Sequence, residues 1–332
     1  MAGPTSSKGA VIAAIIGNGL VMIAKFVAFF VTGSGAMLSE SIHTLADLLN
    51  QILLLVGIQR SGHAPDSEFE YGYGAERYVW ALISAVGIFF LGCGVTVYHG
   101  IQSLLHPHHM TDYSWAIGVL IMAFFVEGFV LWIAVRAVQA KADGKPFFKY
   151  LFTEADPAAV AVVLEDAAAC LGVLIAIAAI ILTWVTGHAY WDAIGSIVIG
   201  MLLGAIAIWL IARNRSLLVG ESVPAHVRQQ VLKILHDNPA VEEVIDLRTR
   251  ILDSETYRIK ADIHFDGNAL AEKMEGQLRE QYERIKSFED FKSFASRYAD
   301  DIVDLLADEI DTIEKKIRSE IPEAKHMDLE AD

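Results

Sequence analysis

Six long apolar runs fill the first two thirds of this sequence, at roughly 10–31, 37–58, 78–103, 113–138, 158–184 and 190–211. Each is near or above the ~20 residues that a helix needs to cross ~30 Å of hydrocarbon. The charges are placed to match: residues 1–213 hold only 9 of the 26 Lys and Arg and 14 of the 41 Asp and Glu. The pattern predicts an α-helical polytopic membrane domain over 1–213 with six transmembrane helices, followed by a small soluble domain over 214–332. The first run follows MAGPTSSKG and leads straight into further spans, so it reads as a membrane helix rather than a removable secretory signal. Both cysteines, Cys93 and Cys170, sit inside apolar runs, which argues against a disulfide scaffold or a thiolate metal motif. A net charge of −15 argues against a nucleic-acid partner.

Basic residues set the expected orientation. The connections near 32–36, 104–112 and 185–189 contain no Lys or Arg, whereas Lys8, Arg60, Arg77, Lys141, Lys145, Lys149 and Arg213 all fall on the other side. The positive-inside rule then puts both termini, and with them the soluble domain, on the cytoplasmic or an equivalent side. In that domain VPAHVRQQVLKILHDNPAV reads as a helix, and VIDLRTRILD and ETYRIKADIHFD read as strands. A polar helical stretch follows from Ala269 to about Ser319, broken between Ser287 and Phe294, and KHMDLEA reads as a third strand. That order suggests a two-layer α/β module.

Ionisable residues within the apolar runs are the candidates for function, because hydrocarbon penalises each one that lacks a partner. His43 and Asp47 stand four apart in SESIHTLAD, so a helix presents both on one face, and imidazole plus carboxylate suits a first-row divalent ion. The bland alternative is a helix–helix hydrogen bond. Glu165 and Asp166 in VVLEDAAACLG are adjacent, about 100° apart on a helix, so one of them at most points straight at the His43/Asp47 face. Asp166 is the expected one; Glu165, and Glu40 one turn before His43, are expected as auxiliary groups. Lys25 and Glu127 read equally as an ion pair, as groups in contact with water, or as part of transport chemistry. Asp192 reads as a helix cap or an aid to ion entry, with the cap favoured. His106, His108 and His109 read as a polar helix end ahead of an ion-capture cluster. The inner segment containing His63, Asp66, Glu68 and Glu70 is mildly metal-friendly.

Taken together, the order of these elements resembles the cation diffusion facilitator family of divalent-metal transporters. The resemblance rests on the six-run core, HxxxD at His43 and Asp47, the YGxxR-like segment Tyr73-Gly74-Ala75-Glu76-Arg77, Asp166, and D-x-x-x-S at Asp192 to Ser196, and it covers nearly the whole chain. SESIHTLADLLNQ, VVLEDAAACLG and RTRILDSETYRIKADIHFD are similar to the zinc transporter 9 branch, whose members are associated with mitochondria; similar proteins also occur in bacteria.

The resemblance implies a divalent metal/proton antiporter, not an enzyme and needing no cofactor, that moves zinc away from the side carrying both termini. It implies an integral protein of a bacterial inner membrane or a mitochondrial membrane, with termini on the cytoplasmic or matrix side. Zinc members of the family carry a second His on the fifth span; here Val162 stands in that position, leaving His43, Asp47 and Asp166 as a three-ligand core. An oxygen-richer set also admits manganese, iron, cobalt or nickel. The inner domain resembles a ferredoxin-like module that dimerises and binds regulatory zinc: His264 matches one ligand position, Asp328 and Glu330 stand near others, and Ile245 replaces a histidine. Residues 281–319 look like an added helical segment. The competing reading is a non-transporting membrane metal sensor or scaffold.

Overall fold

The computed structural model describes residues 4–106, 113–142, 144, 146–153, 157–253 and 256–332. The chain divides into two compact units, Met1–Leu218 and Val219–Asp332.

The first unit is helical throughout. It comprises α1 (Pro4–Thr32), α2 (Gly35–Ser61), α3 (Glu76–Gly87) running through a π-helical segment (Ile88–Val95) into α4 (Thr96–Leu105), α5 (Tyr113–Lys141), a short α6 (Phe147–Thr153), α7 (Pro157–Thr186) and α8 (Tyr190–Val219). Among the described residues five helices are long and apolar enough to cross a membrane: Gly35–Ser61, Glu76–Leu105, Tyr113–Ala140, Val162–Thr186 and Tyr190–Val219. The apolar part of α1 counted with them is shorter, Asn18–Thr32. The spans thus coincide with the apolar runs, apart from the first, whose early side chains lie outside the described residues. So do His108 and His109; His106 is an exposed residue that ends α4.

Glycines and small residues set the helix boundaries and contacts. Gly33 adopts a left-handed conformation at φ 68°, which a side chain disfavours, and its N–H bonds to the carbonyl of Phe29 at 2.7 Å, ending α1 tightly enough for α2 to begin two residues later. Between α8 and the α3–α4 span, Gly100 lies against Ile197, Gly200 against Val97 and Gly204 against Cys93, a seam in which added methyl groups would collide. The packed interior is built from modest side chains, including Ala28, Ala36, Met37, Ala116, Leu120, Ala123, Val173, Ala176 and Ile180. Large apolar groups face outward: Phe30 is 78% exposed while Lys25, five residues earlier on the same helix, is 0% exposed. That distribution suits a hydrocarbon surround, where the outer face must be apolar and ionisable groups must turn inward.

The second unit begins with α9 (Ala225–His236) and continues through β1 (Val241–Asp253), β2 (Thr256–Phe265), α10 (Gly267–Lys273), α11 (Glu275–Tyr282), α12 (Phe288–Glu320) and β3 (Ala324–Ala331). The sheet order is β1-β2-β3, with β1 antiparallel and β3 parallel to β2. Period-2 alternation buries Ile259, Ala261 and Ile263 of the central strand, and Val231, Leu235, Ile313 and Ile317 are buried along α9 and α12. The unit is therefore a separate α/β sheet domain. Its long helix starts at an N-cap, where Ser287 accepts from the Asp290 N–H at 3.2 Å, so the break lies at 283–287, earlier than the expected Ser287 to Phe294, which is helical from Phe288 onward.

Candidate metal centre

Helix α2 carries a polar stripe at three- and four-residue spacing: Glu40, His43, Thr44, Asp47 and Asn50. All but Asp47 are buried, and Asp47 is partly so. Helical periodicity puts them on one face, and the inward turn of that face gives each a neighbour on another helix.

His43 and Asp47 meet as their spacing predicts, with Nε2 3.4 Å from Asp47 Oδ2. Both ring nitrogens of His43 are buried and make no hydrogen bond. Two unused nitrogens at this depth are costly, and they are the donor type that a borderline divalent ion takes.

From α7 it is Glu165 whose carboxylate bonds to α2. Asn50 Nδ2 donates to Glu165 Oε1 at 2.7 Å, and Glu165 lies close enough to Asp47 to interact with it electrostatically. Asn50 Oδ1 in turn accepts from Ser84 Oγ of α3 at 2.8 Å, so the asparagine ties three helices. Asp166, the expected partner of His43 and Asp47, keeps one buried carboxylate oxygen, Oδ2, without a hydrogen bond, and it lies close enough to interact electrostatically with Asp47 and Glu127. Val162, one turn before Asp166, is 46% exposed. Among the described residues, no three His, Cys, Asp or Glu side chains are gathered tightly enough to hold a metal ion.

Glu40 is engaged elsewhere. Lys25 of α1 donates to Glu40 Oε2 at 2.9 Å, to Thr44 Oγ1 at 2.9 Å and to Glu127 Oε1 of α5 at 2.7 Å. The ion-pair reading of Lys25 and Glu127 is thus the one observed, with Glu40 as its third member. Sequence reasoning missed Asn50, Thr44 and Ser84. The first two were detectable as polar residues continuing the α2 stripe, whereas Ser84 carried no comparable signal.

Asp192 caps a helix, but not its own. It accepts hydrogen bonds from Ser34 Oγ and from the N–H groups of Gly35 and Ala36, so it closes the N-terminus of α2 from the first turn of α8. In the connection between α2 and α3, Asp66 accepts from Tyr73 Oη at 2.7 Å and from the N–H groups of Phe69 and Glu68. The Tyr73 bond, followed by those two, holds Asp66 below the usual carboxylate range, and the same bond pushes Tyr73 up to about 12. His63 Nδ1 contacts the carbonyl oxygen of Arg60 at 2.7 Å. Arg60, His63, Asp66, Tyr73 and Glu76 line a cavity of about 280 Å³, so this segment is folded upon itself.

In the C-terminal unit, Asp328 pairs with Arg258 at 3.2 Å and Glu330 with Lys260 at 2.9 Å. His264 Nδ1 contacts the carbonyl oxygen of Asp332 at 3.0 Å, and its Nε2 lies 3.7 Å from Glu242. These residues form an exposed ladder of opposite charges, and Ile245 is 50% exposed.

A bundle of apolar helices with a histidine, carboxylates and a lysine turned inward defines an integral membrane protein built to handle charge within the bilayer. Residues 11–219 match the cation efflux transmembrane domain, and the chain belongs to the cation diffusion facilitator family, related to its zinc-transporter branch. Members of this family are transporters and not catalytic enzymes. The chain is 37% identical over 327 residues to the human mitochondrial proton-coupled zinc antiporter SLC30A9, covering 96% of this chain and 58% of that one. It thus spans less than two thirds of the length of that relative. It is 36% identical over 335 residues to Arabidopsis thaliana metal tolerance protein C4, covering 98% and 73% respectively. A more distant likeness is to the cation-efflux pump FieF of Salmonella paratyphi A, at 27% over 249 residues.

Proposed function

We propose that this protein is a divalent cation/proton antiporter that carries zinc across a membrane by alternating access, with His43, Asp47 and Asp166 as the core of the transported-ion site. The observation that carries this reading is His43: two buried nitrogens without hydrogen bonds, beside Asp47, on the inward face of a membrane helix. Asp166 supplies a further unpartnered buried oxygen, and Glu165, held by Asn50, is the auxiliary ligand of this reading. In this reading the ligands converge only when an ion arrives, which accords with their not being gathered in the structure. The charge of the ion then offsets carboxylates that hydrocarbon would otherwise penalise. Protonation of His43, whose side chain normally titrates near ~6.5, competes with the ion and releases it on the opposite side.

The reading extends to the rest of the chain. All six apolar runs span the bilayer, α1 included, over a transport domain at 1–213. Both termini lie on the cytoplasmic side of a bacterial inner membrane or the matrix side of a mitochondrial membrane, as the basic residues suggest. The part at 214–332 is a ferredoxin-like domain through which two copies associate, with the segment 281–319 as an addition to it. An inner regulatory site around His264, Asp328 and Glu330 would require two surface ion pairs to open. Zinc is favoured by the named relatives, while the carboxylate-rich set also admits manganese, iron, cobalt or nickel.

The test is metal flux into proteoliposomes, with several divalent ions, with and without a pH gradient. His43→Ala, Asp47→Ala and Asp166→Ala should each lower flux at least about tenfold while inserting normally, the loss of one ligand costing ~1.4 kcal/mol or more. Unchanged flux in all three would refute the site. Metal binding without flux in the wild type would instead identify a sensor or scaffold.

A further inference from the structure

We propose that Lys25 is a tethered cation occupying a second, non-transported cation position, where it reserves Glu40 and Glu127 from the ion handled at His43 and Asp47; this rests on the transporter reading above. Lys25 and Glu40 are fully buried there, and Glu127 is 13% exposed. Lys25 Nζ meets Glu127 at 2.7 Å and Glu40 and Thr44 at 2.9 Å each, so all three ammonium hydrogens are used. These acceptors come from α2 and α5, and the cation from α1.

An ordinary internal ion pair needs one carboxylate, and this one has two. Two carboxylates and a hydroxyl are the oxygen set that suits a hard divalent ion, yet the lysine brings a single positive charge. Each glutamate also uses only one oxygen on Lys25: Glu40 Oε1 and Glu127 Oε2 are both buried without a hydrogen bond. With both carboxylates ionised, the pocket carries one more negative charge than the lysine neutralises. The fit is shaped as well as charged. Glu40 Oε1 lies against Gly172 of α7, where an added Cβ would come within 2.5 Å of it. The glycine admits the carboxylate in the orientation that reaches Lys25. Glu40 is one turn from His43 on the same face, so without Lys25 it would be free to join the transported-ion site. With Lys25 in place, that ion meets His43, Asp47 and the acids of α7 only.

The experiment counts Mn²⁺ bound per chain by equilibrium dialysis on the full protein in lipid nanodiscs, with Mn²⁺ as the sole divalent ion. Lys25→Gln should bind one more Mn²⁺ per chain than the wild type, because the vacated oxygen set takes an ion. Lys25→Gln with Glu40→Gln and Glu127→Gln should return the count to the wild-type number. A folded Lys25→Gln protein with the wild-type count overturns the proposal, as does a triple variant that keeps the extra ion. If Lys25→Gln alone fails to fold, the neutral triple variant decides: the wild-type count supports the proposal, and a lower count shows that a glutamate ligates metal in the native protein. The count needs no flux, so a wild type that binds Mn²⁺ but transports nothing defeats the transporter reading and leaves the Lys25 result to stand.

Discussion

Ser34 and Asp192 are 158 positions apart and are joined by a 2.6 Å hydrogen bond from the serine hydroxyl to the carboxylate. The same carboxylate accepts the N–H groups of Gly35 and Ala36, while Ser34 Oγ accepts the N–H of Met37 at 3.1 Å. Four otherwise unsatisfied donors at the start of α2 are thereby dealt with, and a negative charge sits at the positive end of the helix dipole. Helix α2 carries Glu40, His43, Asp47 and Asn50, so this cap sets the axial position of the whole stripe relative to α8.

Asp192→Ala should accordingly destabilise the protein by about 1–3 kcal/mol, the cost of leaving buried donors unpaired, and Asp192→Asn by less. Thermal melts in nanodiscs check this. An unaltered melting temperature with lost flux would show that Asp192 acts on the ion rather than on the helix.

Gly172→Ala should disturb Glu40, because the new methyl would sit 2.5 Å from Oε1, closer than such atoms approach. The expected loss is about 1–3 kcal/mol, typical of overpacking. Combining Gly172→Ala with Glu40→Asp, which shortens the offending side chain, should recover part of the melting temperature. No recovery would show that the clash is relieved elsewhere.

By the family resemblance, Val162, one helical turn before Asp166, is the position expected to carry a histidine in zinc members. Val162→His should move the metal ranking towards zinc, since a second imidazole makes the site less oxygen-rich. Its 46% exposure leaves room for the larger ring. Competition between Zn²⁺ and Mn²⁺ in the flux assay reads the change; an unchanged ranking counts against Val162 facing the ion.

Glu309 of α12 accepts from Lys273 and from Asn238, and those bonds, the Lys273 one foremost, hold its carboxyl below the usual range. A carboxyl whose folded pKa is depressed stabilises the fold at pH above its unfolded value and loses that contribution as pH falls through the folded value. Glu309→Gln should lower the stability of the C-terminal unit at pH 7 by under about 1 kcal/mol, since Lys273 is 42% exposed and solvent screens the pair. The difference from wild type should shrink as pH falls through the depressed folded value, as followed by thermal melts across pH. A difference that persists in acid would assign the effect to packing.

Much of the architecture was legible because it depends on local pattern. Runs of apolar residues mark the five helices that, among the described residues, meet the length for a membrane span, period-2 alternation marks β2, and SESIHTLAD places His43 and Asp47 on one helix face. The pairing of Glu165 with Asn50 was not legible. Glu165 and Asp166 differ by one helical step, and which of them reaches α2 depends on the rotation and spacing of α7, to which no residue in VVLEDAAACLG testifies. The cap formed by Asp192 was half legible: the residue type suggested capping, but the helix it caps lies in a remote part of the chain.

The sequence by itself determined where charge is scarce, which segments are helices, and which polar residues share the inward face of α2, because hydrophobic burial and helical periodicity act over a few residues. The tertiary structure alone decided who meets whom: Lys25 with Glu40 and Glu127, Asn50 with Glu165 and Ser84, Asp192 with the start of α2. In an apolar surround every buried polar group must find a partner, and that partner is selected by how the helices cross and where glycines such as Gly172 let them approach.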